Sequence, residues 1–185
     1  MRLKIFRCII IASIFFSCSK QKEWHKFVMN GKTVFITMKQ YSDSSYSLQL
    51  FMNDSLNSEW ELKYPVYNIN FGDVNNDGRP EIVVGTIKST RFDPKIGKRL
   101  FIFKVTDDFY IRPLWLGSRV SQPLFNFRVK EEKPETKIQT IEQESDGSCL
   151  VGEYKWKGFG LEHVRYIKRH ITLKEAQHIL NSNKH

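Results

Sequence analysis

Five residues at every second position, Asp73, Asn75, Asp77, Arg79 and Glu81, could together hold a hard cation. Asp73, Asn75 and Asp77 offer side-chain oxygens that converge when the backbone curls tightly between them. Gly78 permits the bend, because glycine tolerates a positive φ. The carbonyl of Arg79 could add an oxygen. Glu81 supplies a last carboxylate where an apolar run, EIVVGTI, begins. Pro80, with no N–H, suits the entry to a strand. Calcium requires several such oxygens, with negative charge to offset its dehydration. The acids gather in a chain of 185 residues with 29 Lys and Arg against 20 Asp and Glu, a net charge of +9. The competing reading is a metal-free Asx turn, since Asn-Asp-Gly is already favourable turn sequence.

Other chemistry is weaker. His25, His163, His170, His178 and His185 show no zinc spacing, and neither H-E-x-x-H nor G-x-S-x-G occurs. His163 and Glu162 are adjacent, so on a strand they point to opposite faces. GEYKWKGFG places Tyr154 and Trp156 on one strand face and Lys155 and Lys157 on the other. With Trp115 in RPLWLGSR, these aromatics could stack on a sugar; burial in the core is the alternative. A carboxylate pair for glycan hydrolysis is defined by spatial spacing, and no pair is singled out.

The first residues set the compartment. MRLKIFR is basic, and CIIIASIFF is an apolar run too short to span a bilayer as a helix. FFSCSK, with Ser17 before Cys18, resembles a bacterial lipobox, although Phe15 stands where leucine is usual. The resemblance implies cleavage before Cys18 and acylation of its thiol, with palmitate-type chains anchoring the protein in the bilayer. A plain secreted protein and an uncleaved anchor are the other readings. The expected location is the bacterial cell envelope, on the periplasmic or surface face of the outer membrane. That compartment argues against nucleic acid as a partner and leaves a glycan or another envelope protein. Cys149, in the strand-like SCLVGEY, would then have no disulfide partner and reads as a buried, inert thiol.

Positioning these residues falls to short apolar segments separated by turn residues: KTVFITMKQ after Asn30–Gly31, YSLQLFM, EWELKYP, VYNINF, EIVVGTI, RLFIFKV, FYIRPLWLG, LFNFRV, KIQTIEQ and CLVGEYKW. Val34, Ile36 and Met38 alternate onto one face. KSTRFDPKIGK reads as a long loop. An all-β fold follows. The exception is TLKEAQHIL, with Thr172 and Glu175 in capping-box spacing and Leu173, Ala176, Ile179 and Leu180 at helical intervals, predicting a helix over 172–181. The expected organisation is a signal peptide over 1–17, a spacer over 18–26 and a single β-rich domain over 27–185.

PVYNINF and PLFNFRV, 58 residues apart, match in order, with Trp60 and Trp115 upstream. A period of that length with several strands per unit suggests propeller-type blades. Where the first copy has DVNNDGRPE the second has EEKPETK, so the acidic loop is more than a way to turn the chain. FGDVNNDGRPEIVVG starts like an EF-hand loop, but Val84 stands where the closing Glu is needed, and the flanks read as strands. It resembles instead the calcium-binding hairpin of FG-GAP repeats, the blades of integrin α-subunits. The resemblance implies Asp73, Asn75 and Asp77 as side-chain ligands, Arg79 as carbonyl ligand and Glu81, usually Asp, as final carboxylate to one Ca2+. The chain has room for about three blades where closed propellers have at least four. The expectation is therefore an incomplete propeller or a sandwich of blade-like antiparallel sheets with one C-terminal helix. The expected function is that of a non-catalytic, membrane-anchored binding or scaffold module, with a glycan-processing enzyme as the alternative.

Overall fold

The computed structural model describes residues 24–117 and 119–182. The expected signal peptide, Cys18 and the start of the spacer lie outside the described residues. β1 (Trp24–Met29), β2 (Lys32–Ser42), β3 (Ser45–Met52) and β4 (Ser55–Leu62) form one antiparallel sheet in chain order. β5 (Val66–Gly72), β6 (Glu81–Thr90), β7 (Asp93–Val105) and β8 (Ile111–Leu116) form the second. β9 (Leu124–Lys130), β10 (Lys137–Gln143), β11 (Cys149–Trp156) and β12 (Leu161–Ile171) form the third, and helix α1 (Leu173–Ser182) follows. The fold is all-β, built of three blade-like meanders with one C-terminal helix.

Local chemistry explains the connections. Asn30 and Gly31 have φ of 50° and 71°, which matches the twist of a two-residue hairpin between β1 and β2. Asn53 and Asp54, with φ of 49° and 61°, turn β3 into β4 in the same way. Thr172 and Glu175 cap α1 reciprocally: Glu175 N–H donates to Thr172 Oγ1 at 3.2 Å, and Thr172 N–H donates to Glu175 Oε2 at 2.9 Å.

The sheets stack through their apolar faces. Val34, Ile36, Leu48, Leu50 and Leu62 of the first sheet pack on Ile82, Val84, Phe101, Phe103 and Ile111 of the second. The reverse face of the second sheet, with Val83, Leu100 and Ile102, packs on Phe127, Val129 and Ile138 of the third. Covering on both sides is why EIVVGT reads as a continuous apolar run and not as an alternation. The far side of the third sheet, with Ile141, Val151 and Ile171, is closed by Ala176 and Leu180 of α1. On the far side of the first sheet Trp24, Val28 and Leu56 remain exposed.

The matched segments PVYNINF and PLFNFRV lead into and form β5 and β9, the opening strands of successive sheets, which lie side by side. Asn68 Nδ2 donates to Asn126 Oδ1 at 2.9 Å and to the carbonyl of Phe127 at 2.8 Å. Asn70 Oδ1 accepts from Val129 N–H at 3.3 Å. Ser58 Oγ accepts from Ile111 N–H at 3.0 Å, which aligns the starts of β4 and β8. The three sheets therefore share their ends. One end carries the acidic loop between β5 and β6. The other carries the β6–β7 turn, whereas the chain enters β1 part-way along the stack, where His25 stacks on Phe71 at 4.1 Å.

The sheets approach closely at Gly85. A Cβ there would lie 2.6 Å from Tyr67 Cζ and 2.8 Å from Phe127 Cε1. Gly85→Ala is expected to lower stability by about 1–3 kcal/mol through overpacking, read as a lower urea midpoint at unchanged slope.

Candidate metal centre

The acidic loop is held in shape by its own backbone. Asp73 Oδ1 accepts from Asp77 N–H at 3.0 Å, and Asp73 Oδ2 accepts from Gly78 N–H at 2.8 Å. Asn75 Oδ1 accepts from Asp77 N–H at 2.9 Å, and Asp77 Oδ1 from Arg79 N–H at 2.9 Å. Gly78, with φ of 85°, makes the bend that a side chain would strain. Successive Asx turns thus curl the segment and bring its side-chain oxygens inward.

Glu81 opens β6 opposite Gly72 and is only 1% exposed. Its Oε2 accepts from Val74 N–H at 2.9 Å and Asn75 N–H at 3.2 Å. Its Oε1 lies 3.0 Å from Asn75 Nδ2, and Asp77 Oδ2 also lies 3.0 Å from that nitrogen. Two carboxylates therefore converge on one partly positive amide group, which marks the electrostatic focus of the loop. Burial pushes the Glu81 carboxyl up to about 7; the charges of Asp77 and Asp73 add to the rise, and the N–H groups of Asn75 and Val74 oppose it. Among the described residues no Lys, Arg or His forms an ion pair with Asp73, Asp77 or Glu81. Arg79, the nearest cation in sequence, is turned away: its Nη1 meets Asp107 Oδ1 at 2.6 Å and holds that carboxyl below its usual range.

The structure thus brings Asp73, Asn75, Asp77 and Glu81 into one cradle and sends the Arg79 side chain to the β7–β8 turn. Among the described residues no group of three or more His, Cys, Asp or Glu side chains is placed so as to hold a metal ion as it stands. The donor set is all oxygen apart from one amide, with one carboxylate buried and lacking a countercharge. That chemistry fits a hard divalent cation: Asp73, Asn75, Asp77 and Glu81 would hold it through side chains and Arg79 through its carbonyl. The ion would supply the missing positive charge.

Contacts to the third sheet were not legible in the loop's own sequence. Glu131 Oε1 accepts from Asp73 N–H at 3.3 Å, and Asn76 Oδ1 accepts from Thr136 N–H at 3.2 Å. Glu131 and Thr136 belong to the EEKPET segment, the counterpart of the acidic loop one unit later. The two connections touch, so the cradle spans the second and third sheets.

The aromatic candidates have other surroundings. Tyr154 is 3% exposed, donates its O–H to Glu142 Oε1 at 2.8 Å and accepts from Ser121 N–H at 3.0 Å. Trp115 and Trp156 pack against the core between the second and third sheets. Trp115 and Tyr154 share the lining of a small cavity of ≈ 170 Å³ with Arg119, Ser121 and His163. A second cavity, of ≈ 490 Å³, lies between the β10–β11 turn and the start of α1 and includes the helix-capping Glu175. Burial raises the Cys149 thiol, as suits an inert core cysteine. No protein-family model, curated protein or solved structure matches the chain.

Proposed function

We propose that the protein is a non-catalytic, lipid-anchored module of the bacterial cell envelope in which one Ca2+, held by the 73–81 loop, clamps the second and third blade-like sheets. The observation that carries this reading is Glu81: a buried carboxylate with no basic partner, facing a second carboxylate across a single amide. Buried charges are normally paired or coordinate a metal. A cation at the cradle converts mutual repulsion of three acids into a cross-link. Because Glu131 and Thr136 also grip the loop, the cross-link reaches beyond the hairpin.

The binding-module part rests on the character of the remaining surface. The buried carboxylates elsewhere are committed to donors: Glu142 accepts from Tyr154, Thr140 and Gln122, and Glu153 accepts from Arg165 and Gln139. Neither cavity described above is lined by a pair of acids. An exported glycan or another envelope protein is the proposed partner. The anchor is the acyl group proposed on Cys18; among the described residues no helix is long and apolar enough to cross a membrane.

Calorimetric titration of the chelator-stripped protein with calcium at neutral pH is expected to give one site per chain, abolished by Asp73→Ala. Asp73 organises the loop through Asp77 and Gly78, so its loss removes both an oxygen and the curl. No heat of binding in the parent, or equal binding in the variant, would refute the calcium reading. Mass spectrometry of the membrane-extracted protein is expected to show a chain beginning at an acylated Cys18. An unmodified thiol there would remove the anchor.

A further inference from the structure

The β6–β7 hairpin stands clear of its sheet. β5 pairs with β6 only as far as Thr86, and β8 pairs with β7 only from Phe101 onward. The arm between them turns at Arg91–Phe92, since Thr90 pairs with Asp93. Near the tip Phe92 is 82% exposed and Ile96 is 79% exposed. Five basic residues and one acid lie between Lys88 and Arg99. The single acid is neutralised inside the arm: Asp93 Oδ2 meets Arg99 Nη1 at 2.9 Å, and Arg99 is 5% exposed. The same guanidinium donates to the carbonyls of Lys88 at 3.1 Å and Lys95 at 2.6 Å. It therefore braces the bulge that projects Lys95 and Ile96. Lys88 and Lys98 lie against the rings of Tyr64 and Phe125 at the base. Arg91 and Lys95 flank the two apolar side chains in water.

We propose that this arm docks the protein on an anionic lipid bilayer, with Phe92 and Ile96 entering the headgroup–acyl boundary and Arg91 and Lys95 meeting lipid phosphates. Apolar residues beside cations are the combination that interfacial binding uses. The arm is pre-braced, so little ordering accompanies docking. Its convex tip favours a bilayer over an acidic protein. A stable protein interface takes about 800 Å² from each partner, more than a two-residue turn presents, whereas a fluid surface admits a wedge. The proposal does not depend on acylation of Cys18 or on calcium.

The test uses the full chain with Cys18→Ser, so that no acyl group contributes, and vesicles of phosphatidylcholine with or without phosphatidylglycerol. Any binding through the N-terminal segment is then common to all variants. Phe92→Ser with Ile96→Ser, and separately Arg91→Glu with Lys95→Glu, are each expected to weaken partitioning onto the anionic vesicles by about tenfold. Salt should weaken the parent in the same direction. Phe159→Ser is the control, because Phe159 is 92% exposed but sits at the opposite end. All four residues changed in the arm are exposed, and unchanged melting temperatures confirm that the fold is intact. Equal partitioning of parent and arm variants overturns the proposal. So does equal binding of the parent to neutral vesicles, or arm variants that keep vesicle binding while losing an acidic envelope protein.

Discussion

Freed of metal, the protein is expected to lose stability as pH rises from about 4.5 to about 7, and calcium is expected to restore it above that range. The Glu81 carboxyl titrates near 7 in the fold against 4.5 when solvated. Between those values the folded chain keeps a proton that the unfolded chain has released. The slope of stability with pH is set by protons bound in the unfolded state minus those bound in the folded state, and here that difference is negative. The contribution of neutral Glu81 is complete below 4.5 and is lost as pH passes 7. At about 1.4 kcal/mol per pH unit, the window corresponds to roughly 3 kcal/mol. Calcium and the proton compete for the same carboxylate. Near pH 5 the ion should have little effect. Above pH 7, at a hundred times its dissociation constant, it should add about 2.7 kcal/mol, or roughly 5–10 °C in melting temperature for a chain of this size.

Glu81→Gln isolates the effect, because other titrating groups are common to both proteins. The amide oxygen can still accept from Val74 and Asn75, and no buried charge remains. Subtracting the variant's stability–pH curve from the parent's should leave the fall across 4.5–7, and the variant's melting temperature should ignore calcium. A flat difference curve, or a variant that keeps its calcium shift, would place both effects outside this loop.

Phe127→Ala should be the most damaging single change in the second core, with a loss of about 3–5 kcal/mol. Phe127 is 1% exposed, and its ring meets Tyr67 edge-on at 6.2 Å. Its backbone is held on both sides of the peptide: the carbonyl accepts from Asn68 of β5, and the N–H donates to Asn126 Oδ1 on its own strand. Those bonds fix the strand and limit collapse into the vacated space, so the cavity term persists. For a domain of about 5–15 kcal/mol total stability, that is a large share. The measurement is the guanidinium midpoint at unchanged slope. Phe127→Leu, which leaves a smaller void, should lose far less; equal losses would show that packing at this seam is not what the ring provides.

The sequence discloses most where one residue type has one physical use. Asn30–Gly31 announced a tight hairpin, Thr172 with Glu175 announced a helix start, and both stand as the spacing predicts. The Asx turns of the acidic loop were visible for the same reason. Elements whose side chains face water on both sides were hidden. β12 is exposed along most of its length, so no alternation marked it. KSTRFDPKIGK read as loop because Pro94 and Gly97 interrupt it, yet Arg99 holds it as a paired arm. β1 begins at Trp24, inside the stretch expected to be spacer over 18–26, where Trp24 gains edge-on contacts with Phe35 of the adjacent β2 and Phe51 of β3. Tyr154 could stack on a sugar or be buried as far as its sequence tells; its hydroxyl, which accepts from Ser121 N–H and donates to Glu142, holds it inside. At the candidate metal centre the donors were legible, but the absence of a countercharge for Glu81 was not, since Arg79 is near in sequence and faces Asp107 in space.

Helix α1 shields the last sheet while the first sheet keeps Trp24, Val28 and Leu56 in water. The stack consequently has a direction, like a row of books with one bookend. Among the described residues the apolar face left open is that of the first sheet, so a further β-layer stacking face to face would join there, and two copies meeting through these faces would cover each other.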